Sequence, residues 1–171
     1  MRPLFALALL LALASCSDPY PLSPTGGSAT SPTSIGKSVQ NVVVFIEPHP
    51  GDRIEFVSAE PVGTLGDTIV RFFFSPGITA PNGDHVVGQK LEPLAGASVS
   101  VDRNVPAGGQ NSVGIVAELT PRSAGTFSLS DIRLHYRING LPEQVKQGIS
   151  VIFTICAADP APSACETSPP P

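Results

Sequence analysis

Residues 132–138 alternate strictly: Ile132, Leu134, Tyr136 and Ile138 fall on one face of an extended chain, and Arg133, His135 and Arg137 on the other. Asn139-Gly140 follows, a pair that tolerates the positive φ a type I′ turn requires. Apolar residues then resume in one phase at Ile149, Val151, Phe153 and Ile155. A two-residue turn between runs of period two specifies a hairpin with one face buried and one wet, because a slip of one residue would turn every side chain to the wrong face. The rest of the chain can be read against that hairpin. Val42, Val44 and Ile46 alternate with Val43, Phe45 and Glu47, a turn at His49-Pro50-Gly51-Asp52 follows, and Ile54 and Phe56 continue at period two. Residues 68–74 (TIVRFFF) are apolar on both faces, as in an interior strand; residues 75–84 (SPGITAPNGD) read as a loop; short β-type runs follow at 97–101 and 112–119. No stretch of a dozen residues carries the i, i+3, i+4, i+7 spacing of a helix. With 19 prolines and 16 glycines to make turns, the expectation is an all-β fold, an antiparallel sandwich of about seven or eight strands, with a small barrel as the alternative.

The segment TPRSAGTFSLSDIRLHYRING resembles the closing strands of bacterial immunoglobulin-like domains: a turn, Gly-Thr-Phe, alternating apolar residues, a Tyr, then a hairpin. The resemblance covers Thr120 to Cys156 and implies an immunoglobulin-like sandwich. The Cys…Trp…Cys signature of antibody domains is absent, since the chain has no Trp.

The N-terminus has a different character. Arg2 precedes a run, Leu4 to Leu13, made only of Leu, Ala and Phe. The run is too short for a hydrocarbon core that needs about 20 apolar residues, and it has the form of a secretory signal. It ends Leu13-Ala14-Ser15-Cys16. That pattern resembles the lipobox of bacterial lipoproteins, in which the thiol receives a diacylglycerol and the chain is cut just before it. The resemblance implies that residues 1–15 are removed and that Cys16 is the first mature residue, carrying fatty acyl chains such as palmitate. At least two chains are then available, which stable anchoring requires. Ser17 is not the aspartate that retains lipoproteins in the inner membrane of many two-membrane bacteria, so the expected location is extracytoplasmic, at the outer membrane where there is one. Residues 16–38 (the cysteine and SDPYPLSPTGGSATSPTSIGKS) read as a flexible tether, too poor in apolar surface to offset its ordering entropy. Residues 39–157 form the expected domain and residues 158–171 a proline-rich tail.

Without residues 1–15 the chain has 156 residues and a formal charge of −5, from nine basic and fourteen acidic residues. One domain fits that length, and the acidic balance argues against nucleic acid as a partner. Once Cys16 is acylated, Cys156 and Cys165 remain, and an even pair outside the cytoplasm is expected to be bridged. Cys156 falls in the phase opposite to Ile149, Val151, Phe153 and Ile155. A bridge there would clamp the tail against the last strand from the outside, contributing about 2–3 kcal/mol through loop closure.

Motifs for catalysis are missing. Ser34-Ile35-Gly36-Lys37 matches Ser-x-x-Lys, but it lies in the expected tether without the partner motifs of that enzyme class. Gly36-Lys37-Ser38 mimics the end of a P-loop, but residue 31 is Ser rather than the leading Gly and no strand precedes it. His49, His85 and His135 share no metal-ligand spacing, and Asn82-Gly83-Asp84 reads as a turn rather than a calcium loop. No cofactor or metal is expected. The best candidate contact surface is the row Arg133, His135 and Arg137, three side chains on one face of a strand that could meet carboxylates or phosphates of an envelope protein or another anionic partner; the plainer reading is a solvated face. The functional expectation is a non-catalytic, lipid-anchored cell-envelope protein with a structural or partner-binding role, the alternative being a small-ligand or metal-binding envelope lipoprotein.

Overall fold

The structure, a computed structural model, describes residues 25–46, 48–79, 85–87, 91–100 and 113–165. Cys16, the apolar run Leu4 to Leu13 and the Asn82-Gly83-Asp84 turn lie outside the described residues. No described residue is helical, and the strands form two packed sheets. The first sheet runs β1 (Thr25–Gly26), β3 (Val39–Ile46), β9 (Val113–Thr120), β5 (Ile69–Thr79), β6 (His85–Val87), with β7 (Glu92–Pro93) also pairing with β5. The second runs β2 (Ser28–Ser34), β12 (Ile152–Ala158), β10 (Gly125–Ile138), β4 (Arg53–Thr64), β8 (Ser98–Ser100), with β11 (Gln144–Lys146) on β10. In immunoglobulin lettering β1-β3-β9-β5 is A-B-E-D and β12-β10-β4 is G-F-C. The chain is an all-β, immunoglobulin-like sandwich.

The core lies between the sheets. Val43, Ile46, Ile115 and Leu119 of the first sheet face Ile54, Phe56, Leu129, Ile132, Leu134, Phe153 and Ile155 of the second, all with no exposed surface. Phe56 and Phe74 meet across the gap with ring centroids 5.8 Å apart. The hairpin expected from the sequence is present. Ile132, Leu134, Tyr136 and Ile138 are buried, and Asn139 and Gly140 turn with φ of 52° and 74°, closed by the Leu141 amide donating to the Ile138 carbonyl at 2.9 Å. Upstream, the inward residues of β10 are Phe127 and Leu129. A bulge between Leu129 and Asp131 shifts the phase by one residue. The Asp131 carboxylate holds the bulge, accepting from the Ile132 amide at 2.7 Å and the Gly148 amide at 3.1 Å.

Three expectations are corrected. First, the flexible tether does not extend to residue 38. Thr25–Gly26 pairs with β3, and Ser28–Ser34 pairs in parallel with β12, from Ser28 against Ile152 to Ser34 against Ala158. The sandwich is therefore antiparallel except at this edge. The inward residues of β2 are Ala29, Ser31 and Thr33, with Thr33 only 6% exposed; a strand whose core side is so small and polar carries little hydrophobic signal. Pro32 is tolerated because β2 is an edge strand. Second, residues 75–79 continue β5: Ser75 and Pro76 pair with β9, and Gly77 to Thr79 pair with β6, whose backbone contains His85, so these residues are strand rather than loop. Third, the described strands number twelve rather than seven or eight, the extra ones being the short pieces β1, β6, β7 and β11 and the unanticipated β2.

Gly26 and Gly27 make the crossing from one sheet to the other. The Gly27 amide donates to the Val43 carbonyl in the first sheet, and its carbonyl accepts from the Ile152 amide in the second, both at 3.0 Å. A Cβ on Gly26 would sit 1.7 Å from the Ser150 carbonyl oxygen, where only glycine fits. Replacing Gly26 with Ala should therefore destabilise the domain by more than about 2 kcal/mol. Gly114→Ala, whose Cβ would meet nothing closer than 3.5 Å, should be nearly neutral. Urea unfolding midpoints of the two variants check this.

Candidate functional site

The row singled out in the sequence lies on the outer face of the second sheet, and the ladder register decides what surrounds it. In β10 paired with β4, Arg133 stands opposite Glu60 and Arg137 opposite Glu55. Four residues separate the arginines and five separate the glutamates. A second bulge, at Val57, absorbs the difference and lets both pairs meet. The Arg133 guanidinium donates to Glu60 at 2.8 Å and that of Arg137 to Glu55 at 3.2 Å. Glu143, in the turn before β11, closes the other side, accepting from Arg137 at 3.4 Å and contacting His135 Nδ1 at 2.9 Å. His135 Nε2 approaches Glu60 at 3.6 Å, an electrostatic contact too long for a hydrogen bond.

The expected basic row is thus a mixed-charge ladder, in which two arginines and a histidine interleave with three carboxylates. This corrects the picture of a row of cations open to a partner. Each arginine already has a carboxylate directly across the strand, so an incoming anion would have to displace it. The sequence signal for half of this arrangement existed: Ile54 and Phe56 point inward, which turns Glu55 outward. The bulge that brings Glu60 into register with Arg133 has no such signal.

The first sheet repeats the device. Gln40, Glu118 and Arg71 stand side by side on β3, β9 and β5. Glu118 accepts from Gln40 Nε2 at 2.7 Å and meets Arg71 at 3.5 Å, which accounts for a carboxylate residue only 9% exposed. On the same outer face Val116 is 2% exposed and lies outside the inter-sheet core cluster; its lateral neighbours are Val42 and Phe73.

The remaining candidates do not converge. His49 contacts Asp52 at 3.8 Å in the β3–β4 turn, while His135 sits in the ladder. Among the described residues no three His, Cys, Asp or Glu side chains are grouped to hold a metal ion. A shallow cleft at the hairpin tip is lined by Gly51, Arg53, Glu55, Arg137, Asn139 and Gly140. Arg53 is exposed there and has no ion-pair partner among the described residues.

Cys156 and Cys165 are bridged, with Cα atoms 5.5 Å apart. Cys156 is 8% exposed, yet it lies outside the inter-sheet core cluster that includes its neighbours Ile155 and Ala157. It points outward and is covered from outside, so the bridge pins the tail to the outer face of β12.

No family model matches this chain, and no curated protein matches it. Among solved structures, PapD-like domain 7 of human CEP192 aligns with a TM-score of 0.42 at 12% identity, covering 80% of this chain and 84% of that one. The CooA pilin subunit from enterotoxigenic Escherichia coli aligns with a TM-score of 0.42 at 11% identity, covering 81% of this chain and 99% of that one.

Two outcomes are expected. Replacing Arg133 and Arg137 together with Gln should lower stability by less than about 1 kcal/mol per pair, since half-exposed ion pairs contribute little; the urea midpoint measures it. Replacing Cys156 and Cys165 together with Ser should cost about 2–3 kcal/mol by the same measurement.

Proposed function

We propose that this protein is a non-catalytic, lipid-anchored domain of the bacterial cell envelope with a structural or partner-binding role. The observation that carries the reading is the pairing of Cys156 with Cys165. Of three cysteines, the two in the folded part are consumed in a bridge, which suits an oxidising compartment. The third, Cys16, is the one in the lipobox-like stretch. An extracytoplasmic address, an N-terminal signal and an acylated cysteine form one consistent account of all three.

The surface chemistry supports the non-catalytic part. Arg133 with Glu60, Arg137 with Glu55 and Arg71 with Glu118 spend their charge on each other across strands on the outer faces of both sheets.

Metabolic labelling with a fatty acid tests the anchor. The wild-type protein should incorporate label, and the Cys16→Ala variant should not and should remain as uncleaved precursor. Label in the variant, or none in the wild type, would overturn the reading.

A further inference from the structure

The Asn139-Gly140 turn holds a reactive pair. In an Asn-Gly sequence the glycine nitrogen, unhindered by any Cβ, can attack the side-chain carbonyl of the asparagine. The N–Cγ bond forms and the Cγ–Nδ2 bond breaks; the attacking nitrogen gives its proton to solvent, and the departing nitrogen takes one and leaves as ammonia. Water then opens the five-membered imide at one carbonyl or the other, leaving aspartate or isoaspartate and one more negative charge. Only water is consumed. Both residues are exposed, and the Gly140 amide has no hydrogen-bond partner among the described residues.

The closed turn holds this reaction off. Asn139 has φ of 52°, and in that left-handed conformation ψ is positive as well. The Gly140 nitrogen is then carried away from the Asn139 side chain, whereas ring closure requires the two on the same side. The side chain is also held at both ends. Its Oδ1 accepts from the Arg53 amide at 2.8 Å, and its Nδ2 donates to Asp52 Oδ1 at 3.0 Å. The Asn139 amide donates in turn to the Arg53 carbonyl at 2.8 Å. These three bonds dock the β3–β4 turn and the start of β4 on the hairpin. Attack needs the side chain released and the backbone turned, so it proceeds only from an opened tip. Such an opening is local: Leu141 to Glu143, which follow, are exposed and belong to no strand, and turns of this kind sit at the low end of a fold's opening free energies.

Closing cannot undo the conversion. An aspartate at 139 keeps an oxygen for the Arg53 amide. The atom that donated to Asp52 becomes a carboxylate oxygen, however, and two like charges then meet where a hydrogen bond of 3.0 Å stood. The Asp52 side chain is only 14% exposed, so solvent screens that repulsion poorly. Isoaspartate adds a methylene to the backbone, for which a two-residue turn has no room.

We propose that Asn139 is a site of one-way, enzyme-free modification: inert in the closed hairpin, converted to aspartate or isoaspartate when the tip opens, and thereafter unable to dock the β3–β4 turn. Conversion at 139 is followed by peptide mapping of the full chain at mildly alkaline pH, in buffer and in urea that unfolds it. It should be at least about ten-fold slower in buffer, since only the open fraction reacts. Chains aged in urea and returned to buffer should have a lower urea midpoint than fresh ones, and limited proteolysis of the mixture should digest the converted chains first. The Asn139→Gly variant tolerates the left-handed backbone and retains the other Asn-Gly pair, Asn82-Gly83; its midpoint should not change on the same ageing. Equal rates in buffer and urea, or no conversion in urea, overturn the proposal. So do converted chains that refold with unchanged midpoint and unchanged proteolysis. An equal loss in aged Asn139→Gly would place the damage elsewhere and overturns it too.

Discussion

The two hydrogen bonds of Gly27 hold the architecture together at its first strand. Its amide belongs to one sheet and its carbonyl to the other, so a single residue commits the chain to both layers. The neighbouring Gly26 makes the crossing sterically feasible, because the Ser150 carbonyl occupies the space a side chain would need. Without this crossing β12 would be an open edge, an unpaired row of the kind that invites pairing with another chain. With it, β12 is covered by β2, and the short polar strand gains order from a ladder it could not sustain by its own burial.

How far this could be read beforehand depends on what each strand buries. The inward side of β10 beyond its bulge, Ile132 to Ile138, is large and apolar, and its phase and turn were legible. So was the outward phase of Cys156. The strand Ser28–Ser34 was not, because Ala29, Ser31 and Thr33 look the same in a core edge as in a disordered linker. Its pairing depends on a partner more than a hundred residues away, and no local pattern encodes that. Bulges were invisible for a related reason. Val57 and the Ser130-Asp131 step alter the register by one residue, and it is the fold that decides where an extra residue is absorbed. Of the candidate surface, the positions of Arg133, His135 and Arg137 on one face and the outward phase of Glu55 were legible, while the bulge at Val57 that sets Glu60 opposite Arg133, and the approach of Glu143 from the turn before β11, were not.

The charges have a common logic. On both outer faces a cation is placed laterally opposite a carboxylate, Arg133 with Glu60, Arg137 with Glu55 and Arg71 with Glu118. Exposed pairs of this kind add little stability, but mispairing would set like charges or bare charges side by side. They favour the observed register over its neighbours more than they strengthen it.

The parallel pairing of β2 with β12 also has a mechanical meaning. The chain enters β2 at one end of the sandwich and leaves β12 at the other, while the two strands run side by side in the same direction. Tension between an N-terminal attachment and anything gripping the C-terminal tail would slide the strands lengthwise past each other. The rungs from Ser28 to Pro32 would then resist together, whereas strands peeled apart from one end yield one rung at a time. The Cys156–Cys165 bridge removes the slack of the intervening tail, so a pull beyond Cys165 would enter the last strand directly at Cys156.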